Sequence, residues 1–339
     1  MDTRLSYTLD SLKCVENSDG RVYMLNYRNP YHLDKMLEGP GTKNTFELLY
    51  KASKNIGVPL IMIPGRFACS TFNAKTPDGK LLLARNFDYK DAPVTVVWCS
   101  PENGYKSIGF CDNTMMTYGF KRTPQDRKKR YMELLAPYTV MDGMNETGLV
   151  IAVLEQKGKA THQSTNLPDI TTTLAIRTAL DTCATVDEVI ALFKGYDMHD
   201  AIYANYHFHV TDKSGASVII EYVSNRMQLV YPEENKFYQY STNFLQSNPL
   251  GDVKGNFGYN RYYVIRDRLE PKKGIVTEDE AMDILHGVTL EYRHHLLKHR
   301  VTSLWSAVYN IDDLTIDLCA GADYSKKYKF SLQEPGKNL

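Results

Sequence analysis

Hydrophobic and polar positions divide the chain near residue 69. Before it the pattern is weak: Asn17-Ser18-Asp19-Gly20 and Glu38-Gly39-Pro40-Gly41 interrupt the chain. One amphipathic segment runs from Lys43 to Lys54, with Thr45 as the expected cap and Phe46, Leu48, Leu49 and Ala52 on its apolar side. From Cys69 onward, short apolar runs alternate with turn signals at the spacing of an antiparallel meander. Strands are expected over 70–75, 80–86, 94–99 and 107–111. The first two are joined by Thr76-Pro77-Asp78-Gly79, in which proline presets φ and glycine accepts a positive value. Asp142 to Gly148 reads as a turn leading into the continuous apolar run Leu149 to Leu154, a strand buried on both faces that ends at Glu155.

Two amphipathic helices follow, over 171–182 and 186–193. Their apolar stripes include Leu174, Ala175 and Ala179 on the first and Val189, Ile190 and Phe193 on the second. Strands return at 206–211, 216–223, 227–231 and 237–240. Helices are expected from Asn260 through Leu269 and over 278–286, then strands at 303–309 and 314–319 and a charged tail. This order of strands, helix pair, strands, helix pair, strands predicts an α+β protein, two mainly antiparallel sheets face to face with helices outside.

Charge narrows the class of partner. Lysine plus arginine and aspartate plus glutamate are both 40, so no global field draws the protein to nucleic acid or to an anionic membrane. The basic run from Lys121 to Arg130 reads as a solvated face. Met1 to Ser6 lack a secretory apolar core, and the apolar run Val58 to Ile63 is short and carries Pro59. The expectation is a cytoplasmic protein that acts on a small molecule, with self-association left open.

Six cysteines are scattered without a CxxC pair, the usage of reduced thiols, one of which can be chemical. His207 and His209 share one strand face, and Glu291, His295 and His299 would share one helix face. The first set is too small for a metal and the second is interleaved with His294 and Lys298 in a polar stretch, so no metal or cofactor is expected.

The chemistry gathers on the first hairpin. Its opening strand starts at Cys69 and its return strand ends in Arg85-Asn86-Phe87-Asp88, so thiol, guanidinium and carboxylate converge. Arg85 and Asp88 stand 16 and 19 positions after the cysteine. With Asp142-Gly143-Met144-Asn145-Glu146, Thr242-Asn243 and Asn260-Arg261-Tyr262, this pattern resembles the choloylglycine hydrolase family of N-terminal-nucleophile hydrolases. That group includes bile salt hydrolases and penicillin V acylases.

The resemblance spans 69 to about 320 and implies a four-layer αββα sandwich. Residues 1–68 would be a pro-segment removed by autocleavage between Ala68 and Cys69, and 69–339 the catalytic domain. It implies Cys69 as nucleophile, Arg85 beside the thiol, Asp88 on the α-amine, Asn243 in the oxyanion hole and Arg261 as the second arginine of the site. Cleavage would give the thiol an adjacent base, an α-amine of pKa about 7.7–8.0.

Glu155 stands where bile salt hydrolases carry an asparagine. It is assigned to substrate binding, either beside another oxyanion donor or as a partner for a cationic amine. The expected activity is hydrolysis of a linear N-acyl amide through an acyl-thioester. An acyltransferase of the same fold and an uncleaved binding protein are the alternatives.

Overall fold

The computed structural model describes residues 3–58, 68–113, 124, 130–156, 158–200, 204–247, 258–293 and 300–339. Two sheets carry the fold. The nine-stranded sheet runs in the order Lys13–Cys14, Val22–Tyr27, Val94–Cys99, Ser107–Asp112, Val140–Asn145, Val150–Gln156, Asn205–Thr211, Ser217–Val223 and Arg226–Val230. The seven-stranded sheet runs Tyr240–Ser241, Ala68–Lys75, Leu81–Lys90, Arg300–Asn310, Thr315–Ala320 and Asp323–Ser331, with Glu291–Arg293 added beside Arg300–Asn310.

Helices Thr172–Thr182 and Val186–Lys194 cover the outside of the larger sheet, and Tyr259–Leu269 and Glu278–Gly287 cover the smaller. One apolar cluster fills the space between the sheets and extends beneath the first helix pair. A second, including Phe72, Ala84, Ile265, Leu285 and Val308, lies beneath the other pair. The α+β, four-layer αββα expectation is met.

Local sequence explains the hairpin that carries Cys69. The Thr76 N–H donates to Lys80 O at 2.8 Å, and Gly79 sits at φ +90°, where a side chain would be strained. The register that follows sets Cys69 opposite Phe87 and Ala68 opposite Asp88.

Several expectations shift. Helix Thr45–Ile56 is capped by Asn44, whose side chain accepts from the Glu47 N–H, so Thr45 is the first helical residue, and Phe46 faces solvent at 56% exposure. Asp142 lies within strand Val140–Asn145, and only the residues after Asn145 turn. The glycine that suggested a turn serves packing: a side chain at Gly143 would meet Ile108 O at 2.8 Å. Of 237–240 only Tyr240 is in a strand, and part of the charged tail is the strand Asp323–Ser331. Glu291 lies in a strand, not a helix. His294, His295, Lys298 and His299, and the basic run apart from Pro124 and Arg130, lie outside the described residues.

The weakly patterned first fifth of the chain is built into the sandwich. Val22–Tyr27 pairs in parallel with Val94–Cys99, covering an edge that is itself buried. Leu9, Leu25, Met36, Leu48, Leu49 and Ala52 belong to the same core as Val96, Phe110 and Leu154. The 3-10 segment Arg130–Tyr138 packs under this part: the Tyr27 hydroxyl donates to Leu134 O at 2.8 Å, and Tyr138 donates to Tyr31 O.

Glu133 in that segment is fully buried, and burial pushes its carboxyl up to about 8, with Thr95 opposing. The folded chain therefore keeps a proton that the unfolded chain releases above about 4.5. This stability contribution is complete below that pH and is lost as the pH rises towards 8, with a slope of at most about 1.4 kcal/mol per pH unit. Urea denaturation of Glu133→Gln between pH 5 and 8 is expected to show a flatter pH dependence than the parent chain. Parallel profiles for the two proteins would contradict it.

Candidate active site

The alternation of side chains along the hairpin sorts the chemistry. Cys69 and Thr71 point between the sheets, and Ser70 and Phe72 point to the helix layer. On the return strand Arg85 and Phe87 share the thiol face, while Asp88 lies on the other side, where it meets Arg261 of helix Tyr259–Leu269. The three-residue step from Arg85 to Asp88 thus places a cation beside the sulfur and an anion beside the main chain of residues 68 and 69.

On the thiol face, Arg85 Nη2 donates to Cys69 Sγ at 2.9 Å. Arg85 Nη1 donates to Asp142 Oδ1 at 2.6 Å, and neither side chain of that pair is exposed. Trp305 Nε1 donates to Asp142 Oδ1 at 3.1 Å and the Tyr309 hydroxyl to Oδ2 at 2.5 Å, so the carboxylate is saturated. Strands Val140–Asn145 and Val150–Gln156 pair as far as Asp142 and Ala152 and then diverge. The guanidinium sits in that fork, with Nη1 donating to Met141 O at 3.3 Å and Nη2 to Val153 O at 3.1 Å. Burial opposes the Arg85 charge, but Asp142 and the adjacent sulfur outweigh it and raise the pKa above its ordinary value.

On the main-chain face, Tyr240 and Ser241 pair with Phe72 and Thr71. Extending that register puts Asn243 opposite Cys69. Asn243 Oδ1 accepts from the Cys69 N–H at 3.3 Å and from Arg261 Nη2, and Asn243 Nδ2 donates to Glu155 O. These partners fix the amide orientation, with its oxygen between two donors and its nitrogen against a carbonyl. Arg261 also donates to Asp88 Oδ2 and, at 3.2 Å, to Cys69 O, and the Ser303 hydroxyl donates to Asp88 Oδ1 at 2.5 Å.

The thiol is fully buried. Burial, with Asp88 adding to it, pushes its pKa up to about 12 against the pull of Arg85, Arg261 and the Glu155 N–H, which donates to the sulfur. The thiol is therefore neutral at ordinary pH, and only with a base beside it could it act as a nucleophile.

The structure gathers Cys69, Arg85, Asp88, Asn243 and Arg261 around one residue. Glu155 joins them through its main chain: N–H to the sulfur, C=O to Asn243. Its side chain is buried on the strand opposite Tyr206. Sequence reasoning left out Asp142, Ser303, Trp305 and Tyr309. The signal for Asp142 was present as an acidic residue in an apolar context, hidden by its neighbouring glycine. His207 and His209 are buried groups of the framework. His209 bonds Thr71 Oγ1 at 2.8 Å and Ser217 Oγ at 3.0 Å, and burial pushes its pKa down to about 3. His207 bonds Glu221, which also accepts from the backbone of Gln246 and Ser247. Among the described residues no group of three or more His, Cys, Asp or Glu is placed to hold a metal ion.

Known proteins share the family and the fold. The family described as acyl-coenzyme A:6-aminopenicillanic acid acyl-transferase matches residues 74–324, most of the chain. The chain belongs to that acyltransferase family. Solved structures share its fold. Conjugated bile acid hydrolase from Clostridium perfringens superposes with a TM-score of 0.57 at 16% identity, covering 80% of this chain and 96% of that one. Penicillin V acylase from Agrobacterium tumefaciens gives 0.53 at 16% identity, covering 78% and 93%. The suspected choloylglycine hydrolase kinship is thereby upheld, although the match to the acyltransferase family begins five residues after Cys69.

Removing the charge that holds Arg85 leaves a buried cation unanswered. Asp142→Asn is expected to cost about 3–5 kcal/mol in urea denaturation, as for other broken buried pairs. A loss under about 1 kcal/mol would show that Arg85 is held by the carbonyls alone.

Proposed function

We propose that the protein is a cysteine amidase that hydrolyses the C–N bond of a small linear N-acyl amide and is matured by cleavage between Ala68 and Cys69. The observation that carries this reading is the division of labour around Cys69: Arg85 on its sulfur, Asn243, Asp88 and Arg261 on its main chain. Such a main-chain cradle has little use around an ordinary strand residue. It suits an α-amine, which cleavage would create where the Cys69 N–H now faces Asn243 Oδ1.

In the cut chain the α-amine, of pKa about 7.7–8.0, takes the thiol proton. The thiolate, stabilised by Arg85, attacks the amide carbonyl and a C–S bond forms. The Glu155 N–H and the second Asn243 Nδ2 hydrogen are the nearby donors for the developing oxyanion. The α-ammonium returns its proton to the nitrogen as the C–N bond breaks and the amine leaves. Water, deprotonated by the same amine, then cleaves the thioester to release the carboxylic acid and restore the thiol. The Glu155 carboxylate, buried near this centre, is assigned to the amine half of the substrate.

The acyl-transferase description of the family favours a second outcome for the same thioester, attack by an amine instead of water. Adding competing amines and looking for new amides separates the two. The free state of all six cysteines fits a reducing, cytoplasmic setting. No helix among the described residues is long and apolar enough to cross a membrane.

Residues 3–58 share a core with the rest of the chain, so cutting before Cys69 is expected to leave the pro-segment docked until its burial is disrupted. Under denaturing conditions, intact-mass analysis is expected to resolve the parent protein into two chains divided at Ala68 and Cys69, and Cys69→Ala as one uncut chain. Equal processing of both proteins would overturn self-cleavage. In the matured enzyme, Asn243→Ala is expected to lower kcat by about 10²–10³-fold, the usual loss for one oxyanion donor. An unchanged kcat would remove Asn243 from that role.

A further inference from the structure

A cavity of about 310 Å³ lies where the edges of the two sheets meet helix Tyr259–Leu269. Its walls are aromatic: Tyr231, Tyr240, Phe244, Tyr259, Tyr262 and Tyr263. The rings brace one another, Phe244 stacking on Tyr259 at 4.0 Å between centroids and Tyr240 packing at a tilt against Tyr262 at 4.7 Å, so the walls are preformed. Ile219 and Val230, cross-strand partners on the larger sheet, add an apolar side. The size falls in the range of small-molecule sites.

Among the described residues the charges in the lining do not balance. Glu270 accepts from Lys236 at 2.7 Å, Tyr238 at 2.9 Å and Tyr240 at 3.1 Å, which holds it ionised. Glu233 shares the same ammonium at 2.9 Å. Among the described residues two carboxylates thus meet one lysine, and the surplus negative charge lies at the exposed Glu233 on the rim of the tyrosine-lined cavity. Arg266 packs over Tyr263 at 4.6 Å from its centroid, so a cation already uses a face of that wall residue, and it is paired with Asp267.

We propose that this cavity is a second, non-catalytic binding site for an organic cation, an amine or quaternary ammonium with an aromatic or alkyl body. Aromatic faces attract such a cation through their quadrupoles, and the surplus carboxylate complements its charge while disfavouring an organic acid. The site is separate from the thiol. Tyr240 lies opposite Phe72, which points to the helix layer, whereas Cys69 points between the sheets. It nevertheless shares two segments with the catalytic centre, because Phe244 follows Asn243 and Tyr262 follows Arg261. The inference does not rest on the amidase reading.

Isothermal titration of the full chain with benzyltrimethylammonium tests it, with phenylacetate as the anionic control. Binding at one site per chain is expected, weakened about tenfold in the half-exposed variant Tyr263→Ala and retained in Cys69→Ala, with phenylacetate at least about tenfold weaker. Glu233→Gln, a rim change, is expected to narrow the preference between the two probes. Three results would each overturn the proposal: no binding of the cation, equal binding of phenylacetate, or affinity unchanged in Tyr263→Ala.

Discussion

Taking a guanidinium out of water costs several kcal/mol unless its charge and its protons find partners. Arg85 has no exposed surface, and the site is arranged around meeting that demand. Asp142 supplies the counter-charge, and Trp305 and Tyr309 fill the remaining sites on its carboxylate. Two strands separate so that Met141 and Val153 can offer their carbonyls. What remains of the guanidinium is directed at the Cys69 sulfur, so one buried ion pair both holds the larger sheet to the smaller and fixes the electrostatics of the thiol. The free edge that the fork creates is also what presents the Glu155 N–H to the sulfur and its C=O to Asn243.

The second constraint is the period of two along a strand. It places sulfur and Arg85 on one side, and Asp88 with Arg261 on the other, so that groups acting on the thiol and on the main chain do not compete. Asn243 comes from a different edge of the smaller sheet, brought opposite Cys69 by the register of Tyr240–Ser241. Because Asp88 and Arg261 form their own pair on the helix side, a net-neutral group surrounds the main chain at residue 69.

Much of this was legible in the chain. The hairpin could be read because its turn chemistry, its alternation and the spacing from Cys69 to Asp88 agree. Both helix pairs followed from their apolar stripes. The site residues came from motif order, which says which residues meet but not how. The main-chain role of Glu155 depends on where two strands part, and no side-chain pattern records that. Asp142 was masked by Gly143, which serves close packing rather than a turn. The first fifth of the chain was the hardest to read, because Val22–Tyr27 is a buried strand with polar flanks and joins the sheet through a partner far along the chain, Val94–Cys99. Under the proposed maturation, its burial makes cutting before Cys69 and releasing the residues before it separate events.

The central claim is that Cys69, made N-terminal, carries the acyl group. Peptide mapping after brief reaction with an N-acyl amide and acid quenching tests it directly. The account predicts a peptide that begins at Cys69 and carries the acyl mass as a hydroxylamine-labile thioester. An acyl group on another residue, or a Cys69 peptide still joined to Ala68 in active protein, would contradict it.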